Sequence, residues 1–307
     1  MRRVLIKRLL IGVLVIFLVS TAVFVITRMV TSPELAFLPV DASEAQRVAI
    51  REHLGLDQPL WGQYLDYLGS ILTGNLGDSY WQPDTSALSI VFDRLPLTVA
   101  LNVVAILVAL VIAVPLGVVA ALNPGSLLDR VTTTASLLGL SAPQFWLSFM
   151  LILIFGVNLG WLPTSGAAGA SSVILPSLGL ALPTAGKLAQ MMRSTMMDEL
   201  DRPYMMTAES KGMKAFYRVT RHAFRNSLVP VLTQSSFEFA RMMAGYTIVV
   251  EKVFAWPGVG LLTVQALERQ DLMLLQAIVI VVATMIVLVN LVTDLLYTVI
   301  DPRIEVS

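Results

Sequence analysis

The sequence predicts an all-α integral membrane protein with six transmembrane helices and an external helical insert between the first two. Hydrophobic residues make up 56% of the 307 positions, and the mean hydropathy is +0.77. Only 14% of the residues are charged, against about 25% in soluble domains. Uncharged stretches such as residues 9–27 are long enough to cross about 30 Å of hydrocarbon as helices.

Composition also excludes several classes of function. The net charge is zero, so no bulk attraction to nucleic acid is expected. The chain has no cysteine and only two histidines, which excludes a disulfide framework and argues against a metal centre. Gly186-Lys187 is followed by leucine and is therefore not a phosphate-binding loop, and no Ser/His/Asp set can be assembled. The sequence thus predicts neither an enzyme nor an ATPase.

The N-terminal part predicts one membrane span and an insert. Residues 9–27 exceed the apolar core of a signal peptide, and no convincing cleavage site follows, so they are interpreted as the first span. In the insert, residues 31–94, Ser43 and Gln46 have the spacing of a capping box, and Gly55 could end the helix that they begin. A second helix ends at Gly74 and has an apolar stripe that we expect to be buried. The stripe is Trp61, Tyr64, Leu65, Leu68 and Leu72.

Five further spans complete the prediction. They are residues 96–122, 131–159, 172–192, 227–250 and 272–300. Pro143, with Ser141 and Ala142, should break the second of these. Fourteen of the 21 Lys and Arg residues, including Lys187 near the inner end of span 172–192, fall on the side of the N-terminus, and six fall on the other side. Both termini and the polar segment 200–230 are therefore expected in the cytoplasm.

Segment 200–230 predicts two short helices joined by a turn. Asp201 can cap the first helix, Pro203 suits its first turn, and Gly212 can end it by adopting a positive φ. The second helix, residues 213–226, should end before Pro230, where the next span follows. It has a predicted cationic face of Lys214, Arg218, Arg221 and Arg225, and an opposite apolar face of Phe216, Val219 and Ala223. From these residues alone, a basic loop that contacts anionic lipid stays open as an alternative.

Glu238 and Arg241 are charged residues inside span 227–250. Charges at this depth cost several kcal/mol, and a spacing of three residues lets the two side chains pair. With Gln234, they predict either a polar face that lines a translocation path or a sealed structural ion pair.

Segment 200–230 also resembles the cytoplasmic coupling loop of ABC importer permeases, and its length resembles the dipeptide/oligopeptide/nickel branch. The resemblance rests on the order Thr207-Ala208-Glu209-Ser210-Lys211-Gly212, then Arg221-His222 and Asn226, then Pro230. Segments 54–60 and 74–79 of the insert, Arg94-Leu95-Pro96 and Asp301-Pro302-Arg303 resemble the same branch. The resemblance implies that residues 207–212, Arg221, His222, Asn226 and Pro230 couple the chain to an ATPase.

The same resemblance implies a type I importer permease fold and a set of partners. Residues 1–30 would form the N-terminal tail and first span, 31–94 the external cap, 95–300 the transmembrane domain, and 301–307 the cytoplasmic tail. The expected partners are a second homologous permease, two ATPase subunits that bind ATP and magnesium, an external solute-binding protein, and lipid. The expected location is the cytoplasmic membrane of a bacterium or archaeon. Peptide is the expected solute, with nickel chelates, glutathione or another small solute as alternatives. A secondary transporter or channel that works without ATP is the alternative from another class.

Overall fold

The computed structural model describes residues 2–30, 43–46, 48 and 57–300. The predicted helix end at Gly55 and the tail 301–307 lie outside this part of the chain. The α-helices are α1 (Arg2–Val30), α2 (Leu60–Thr73), α3 (Ala87–Leu122), α4 (Leu127–Ser141), α5 (Gln144–Leu151), α6 (Ile174–Leu200), α7 (Pro203–Ser210), α8 (Ala215–Arg218), α9 (Phe224–Arg241), α10 (Thr247–Val253), α11 (Val259–Glu268) and α12 (Leu272–Ile300). Within the described ranges, the β structure is confined to a bridge between Asp78 and Ser86.

Four described helices are long and apolar enough to cross a membrane. They are Ile6–Thr27, Ala87–Leu122, Ala170–Leu200 and Leu272–Thr293. They coincide with four of the predicted spans. A fifth span is obtained if α4 and α5 are taken together, and these two helices meet at 106°. The break predicted at Ser141-Ala142-Pro143 is confirmed, since α4 ends at Ser141 and Pro143 precedes α5.

The predicted span 227–250 differs from the others. It lies in α9, a π-helical turn at Met242–Tyr246, and α10, and it is not among the helices that are apolar enough to cross a membrane. Its polar residues are accommodated in part by burial within the protein, because Ser227, Ser235 and Glu238 are buried. The sequence therefore predicted the helix correctly but overestimated how apolar it is.

The chain divides into two compact units, one that combines residues 1–97 with 257–288, and one built mainly on residues 98–256. In the first unit, α2 packs on α1 through Tyr64 and Tyr67, whose rings lie 5.2 and 5.4 Å from that of Phe24. The Tyr64 hydroxyl also lies 2.6 Å from the Thr21 hydroxyl. Gly74 ends α2 with φ +70°, as predicted.

The predicted burial of the α2 stripe is wrong at three of its five positions. Trp61 is 69% exposed, Leu65 57% and Leu72 88%, whereas Tyr64 and Leu68 are half-buried. Gln63 and Tyr67, which are not part of the stripe, are buried. The face that meets α1 contains Tyr64 and Tyr67, whose rings supply aromatic surface as well as hydroxyl groups. The capping box is confirmed, with the Ser43 amide donating to Gln46 Oε1 at 2.9 Å and the Gln46 amide donating to Ser43 Oγ at 3.4 Å.

The second unit is built on close contacts between helix backbones. Its core contains small residues of α3 and α6, including Ala113 and Ala185, together with Met192 and Met196. A Cβ atom at Gly117 of α3 would lie 2.7 Å from the Ala189 carbonyl oxygen, and one at Gly186 of α6 would lie 2.9 Å from the Ser136 carbonyl oxygen of α4. Only glycine permits these approaches. Helix α6 is thereby held against both α3 and α4.

Candidate functional site

The polar segment begins where α6 ends at Leu200, eight residues beyond the predicted end of that span. Pro203 occupies the first position of α7, as predicted. The predicted N-cap is wrong, because Asp201 closes α6 with φ −85° and Arg202 precedes α7. Only a short turn thus separates α6 from α7.

Gly212 ends α7 with φ +74°, which confirms the predicted stop. The Gly212 amide donates to the Glu209 carbonyl at 2.8 Å, and the Met213 amide donates to the Ala208 carbonyl at 3.1 Å. These two hydrogen bonds form a Schellman motif. A Cβ atom at Gly212 would meet nothing within 4 Å, so the backbone conformation alone selects glycine here.

The second helix does not end near Asn226. It begins as α8 at Ala215, passes through a π-helical turn at Val219–Ala223, and continues without a break as α9 to Arg241. Pro230 lies inside α9, although proline lacks the amide hydrogen that a helix normally uses. The predicted boundary at Pro230 is therefore wrong, and the polar segment is joined to the following span by a continuous helix.

The predicted cationic face is not continuous, because one of its four residues pairs with the preceding helix. Arg218 is directed to α7, where its Nη1 lies 2.7 Å from Glu209 Oε2, while Lys214, Arg221 and Arg225 are exposed. On the predicted apolar face, Ala223 is buried but Phe216 is 74% exposed. The sequence missed the Glu209–Arg218 ion pair because the two residues belong to different helices.

A group of three side chains joins the ends of α6, α7 and α9. Glu199 Oε2 accepts a hydrogen bond from the Tyr204 hydroxyl at 2.5 Å and one from Asn226 Nδ2 at 3.2 Å. Burial, followed by the hydrogen bond to Glu199, raises the pKa of Tyr204 above its usual value. Tyr204 therefore stays a neutral donor at physiological pH.

A cavity of about 500 Å³ lies beside this group. It is lined by Tyr204, Thr207, Ala208, Lys211, Met213, His222 and Asn226. The structure thus brings together five of the predicted coupling residues in one concave site. Tyr204, Met213 and Glu199 were not predicted, since the sequence shows no periodic signal that links them.

The remaining predicted coupling residues lie outside the cavity. Glu209 is on the Arg218 side of α7, and Ser210 bonds back to the Met206 carbonyl at 3.0 Å. Arg221 is exposed, and Pro230 lies farther along α9.

A second cluster of polar side chains surrounds Glu238, which is only 3% exposed. Glu238 Oε1 lies 2.6 Å from Lys187 Nζ, 2.9 Å from Gln234 Nε2 and 3.3 Å from Arg241 Nη1. Arg241 Nη2 also donates to the Tyr246 hydroxyl at 2.8 Å. The predicted pairing of Glu238 with Arg241 is observed. Lys187 lies in the middle of α6, because this helix continues past the predicted end of the span to Leu200.

This charged cluster lies far from the polar segment along both helices. At 1.5 Å per residue, Lys187 is about 20 Å from the end of α6, and Glu238 is about 20 Å from the start of α9 and about 12 Å beyond Pro230, where the polar segment ends. The distances along α6 and along α9 are similar, which agrees with the observed contact between Lys187 and Glu238. The cluster is therefore separate from the cavity.

Comparison with known proteins gives the family. Residues 113–306 match the binding-protein-dependent transport system inner membrane component family, and residues 1–102 match its N-terminal domain. The chain is 34% identical over 311 residues to the oligopeptide transport system permease protein AppB of Bacillus subtilis (strain 168), with 98% of each chain covered. It is 36% identical over 301 residues to the glutathione transport system permease protein GsiC of Escherichia coli (strain K12), again with 98% of each covered.

Solved structures support the same fold. The inward-facing MetNI methionine ABC transporter matches with a TM-score of 0.58 at 16% identity, covering 69% of this chain and 96% of that one. An amino acid ABC transporter crystallised with histidines matches with a TM-score of 0.55 at 14% identity, covering 68% and 92%. The protein is a multi-pass membrane protein and a permease subunit, not itself an enzyme: it belongs to the family of inner membrane components of binding-protein-dependent ABC transport systems.

Proposed function

We propose that the chain forms half of the translocation path of an ATP-driven importer of short peptides, and that residues 200–230 couple it to an ATPase subunit. The permeases AppB and GsiC, to which it is similar over nearly its whole length, are named for oligopeptide and glutathione transport. Glutathione is itself a short peptide, so both names indicate one class of solute. Family membership favours this function over a transporter or channel that works without ATP.

The observation that carries the coupling proposal is an exposed apolar surface on α7 and α8. Met206 is 63% exposed, Phe216 74% and Tyr217 57%. These side chains lie in the most polar segment of the chain, next to a cavity with a basic wall of Lys211 and His222. Large exposed apolar residues beside a concave site are typical of a protein interface. Contact with anionic lipid, the alternative role of this segment, would not explain why the segment also forms a concave site.

The partners follow from this proposal. Two ATPase subunits would bind ATP and magnesium, a second permease would complete the path, and an external binding protein would deliver the solute. We place the termini and residues 200–230 in the cytoplasm. With Lys187 assigned to the interior of a span, thirteen Lys and Arg residues remain on that side, against six on the other. The same proposal includes the division of the chain into four parts. They are the N-terminal tail with the first span (1–30), the external cap (31–94), the transmembrane domain (95–300) and the C-terminal tail (301–307).

The test is co-purification with the ATPase subunits. Phe216→Ser should greatly reduce the amount of ATPase recovered and the ATP-dependent uptake, while the permease still inserts into the membrane. Leu72→Ser is the matched control, because Leu72 is 88% exposed on α2, outside the polar segment. Normal ATPase recovery with the Phe216 variant would contradict the coupling role. Uptake of a labelled dipeptide and of labelled glutathione by the complete system identifies the solute class.

A further inference from the structure

The cluster around Glu238 holds more positive than negative charge. Lys187 and Arg241 both contact the same oxygen of the Glu238 carboxylate, at 2.6 and 3.3 Å. Lys187 and Arg241 each carry one formal positive charge and Glu238 carries one formal negative charge, so one positive charge is not balanced within the cluster. Gln234 and Tyr246 add hydrogen bonds but no charge.

The surroundings of this charge restrict what it can face. Arg241 has a side chain that is 50% exposed, and that of Lys187 is 36% exposed. Along their helices, Lys187 lies about 20 Å and Arg241 about 16 Å from the polar segment. A charged group at such a depth is costly against hydrocarbon and is found facing water-filled cavities or protein. The exposed side of this cluster therefore does not face lipid.

The π turn that follows Arg241 holds its guanidinium in place. In this turn, Met242–Tyr246, the helix is wider than an α-helix, so residues that are five positions apart lie next to each other on the same face. The Tyr246 hydroxyl then accepts a hydrogen bond from Arg241 Nη2, and the ring centroid lies 5.4 Å from the guanidinium carbon. A guanidinium has five N–H donors in a planar fork, and several of them are left for a ligand. Space is available beside it, since a Cβ atom at Gly245 would meet nothing within 4 Å.

We propose that the Lys187–Glu238–Arg241 cluster binds the carboxylate of the solute during translocation. Arg241 is the contact residue, because a planar guanidinium matches a carboxylate in two parallel hydrogen bonds. Glu238 is a positioning residue that holds both cations and cancels part of their charge. This partial cancellation keeps the site weak enough for release, which transport requires as much as binding. The proposal rests on the proposed import of peptides, which end in a carboxylate.

The first test measures the charge of the site without any solute. The chain has no cysteine, so Ala244→Cys and Gly245→Cys each provide a single thiol beside Arg241. In the complete transporter, an anionic and a cationic methanethiosulfonate reagent are compared at each thiol, with and without ATP. Thr73→Cys, exposed on α2, is the reference for the intrinsic rates. We expect the anionic reagent to be favoured by roughly fivefold over the reference, since one unbalanced charge lies within about 8 Å.

Neutralising the cluster should remove that preference. Lys187→Gln, added to either cysteine variant, should reduce it toward the reference ratio, whereas Arg130→Gln, which removes an exposed cation outside the cluster, should leave it unchanged. If neither thiol reacts, with or without ATP, the cluster is sealed and the proposal is overturned. An equal ratio for both reagents would overturn it as well.

The second test uses the solute. A peptide and its C-terminal amide are each supplied at a concentration that saturates the binding protein, and their import rates are compared. Arg241→Gln should reduce the preference for the free carboxylate by about tenfold, which corresponds to about 1.4 kcal/mol. Arg241→Lys should retain part of it, and Arg130→Gln all of it. An unchanged ratio in Arg241→Gln would refute the carboxylate site. If the wild-type system imports no peptide at all, the proposed function is wrong. The thiol measurement then still tests whether the cluster is accessible and positively charged, because it needs no solute.

Discussion

Arg218 of α8 and Glu209 of α7 form an ion pair, with 2.7 Å between Nη1 and Oε2, that spans the turn at Gly212. It joins the two short helices of the polar segment, and α8 continues through the π turn into α9. The pair thus links α7 to the helix that contains Glu238 and Arg241. Four predictions concern this pair and the packing of the second unit.

The Glu209–Arg218 pair should stabilise the segment only when Glu209 is ionised. The hydrogen bond from Arg218 lowers the pKa of Glu209 below its usual value. Its contribution is therefore complete above the unfolded value of about 4.3 and is lost as the pH falls through the lowered pKa. The difference in melting temperature between the wild type and Glu209→Gln should be constant near neutral pH and vanish in acid. Asp198→Asn, at an exposed position on α6, is the control. A difference that persists in strong acid would contradict the assignment.

Gly212→Val should uncouple ATP hydrolysis from transport. The left-handed conformation at φ +74° costs a β-branched residue at least about 1–2 kcal/mol, so the turn between α7 and α8 should change its geometry. Gly212→Asn is the control, because asparagine tolerates this region and the surrounding space is open. ATPase activity and uptake are measured in reconstituted complexes. Coupled uptake by the valine variant at the wild-type rate would show that this turn does not transmit the motion.

Gly117→Ala should destabilise the second unit by more than 1 kcal/mol. The added methyl group would lie 2.5 Å from Met192 Cβ and 2.7 Å from the Ala189 carbonyl oxygen, and overpacking of this kind costs about 1–3 kcal/mol. Gly69→Ala in α2 meets nothing within 4 Å and should be neutral or stabilising, because alanine favours helix. Thermal unfolding in detergent distinguishes the two. Equal melting temperatures for both variants would exclude the close approach of α3 and α6.

Thr247→Val should cost about 1–3 kcal/mol. Thr247 Oγ1 donates to Asn102 Oδ1 at 2.6 Å, and Asn102 is fully buried. Valine keeps the shape of threonine but leaves that carbonyl oxygen without its donor. Thr247→Ser retains the hydroxyl group and should be milder. Thermal unfolding of the purified complex checks the order, and a serine variant less stable than the valine variant would contradict it.

Local signals in the sequence predicted most of the helices and several of their boundaries. Proline and glycine act through their own backbone restrictions, so Pro143, Pro203 and Gly212 could be interpreted without knowledge of any contact. Pro230 is the exception, because α9 passes through it. The order of residues in the polar segment indicated the family, while the cavity beside it also depends on Tyr204 and Met213, which no periodic signal links to it.

Predictions that depended on which face is buried were less successful. On α2, the apolar residues Trp61 and Leu65 are exposed, whereas Gln63 and Tyr67 are buried. Side-chain spacing gave the helix, but it did not show which side of α2 contacts α1, because that contact depends on Phe24 and Thr21 in a distant part of the sequence. The cationic face of the polar segment failed for a different reason. Arg218 leaves this face because it pairs with Glu209 of α7, and a contact between two helices gives no periodic signal in the sequence.

The glycine contacts of α6 also determine how the second unit can respond to force. With Gly117 against Ala189, and Gly186 against Ser136, the backbone of α6 meets those of α3 and α4 directly at two points. Such close-packed contacts resist sliding and rotation of α6 against its neighbours. Only Asp201 and Arg202 separate α6 from α7. A displacement applied to α7 is therefore transferred to three helices at once, and the deformation must occur at the edges of this rigid group and not within it.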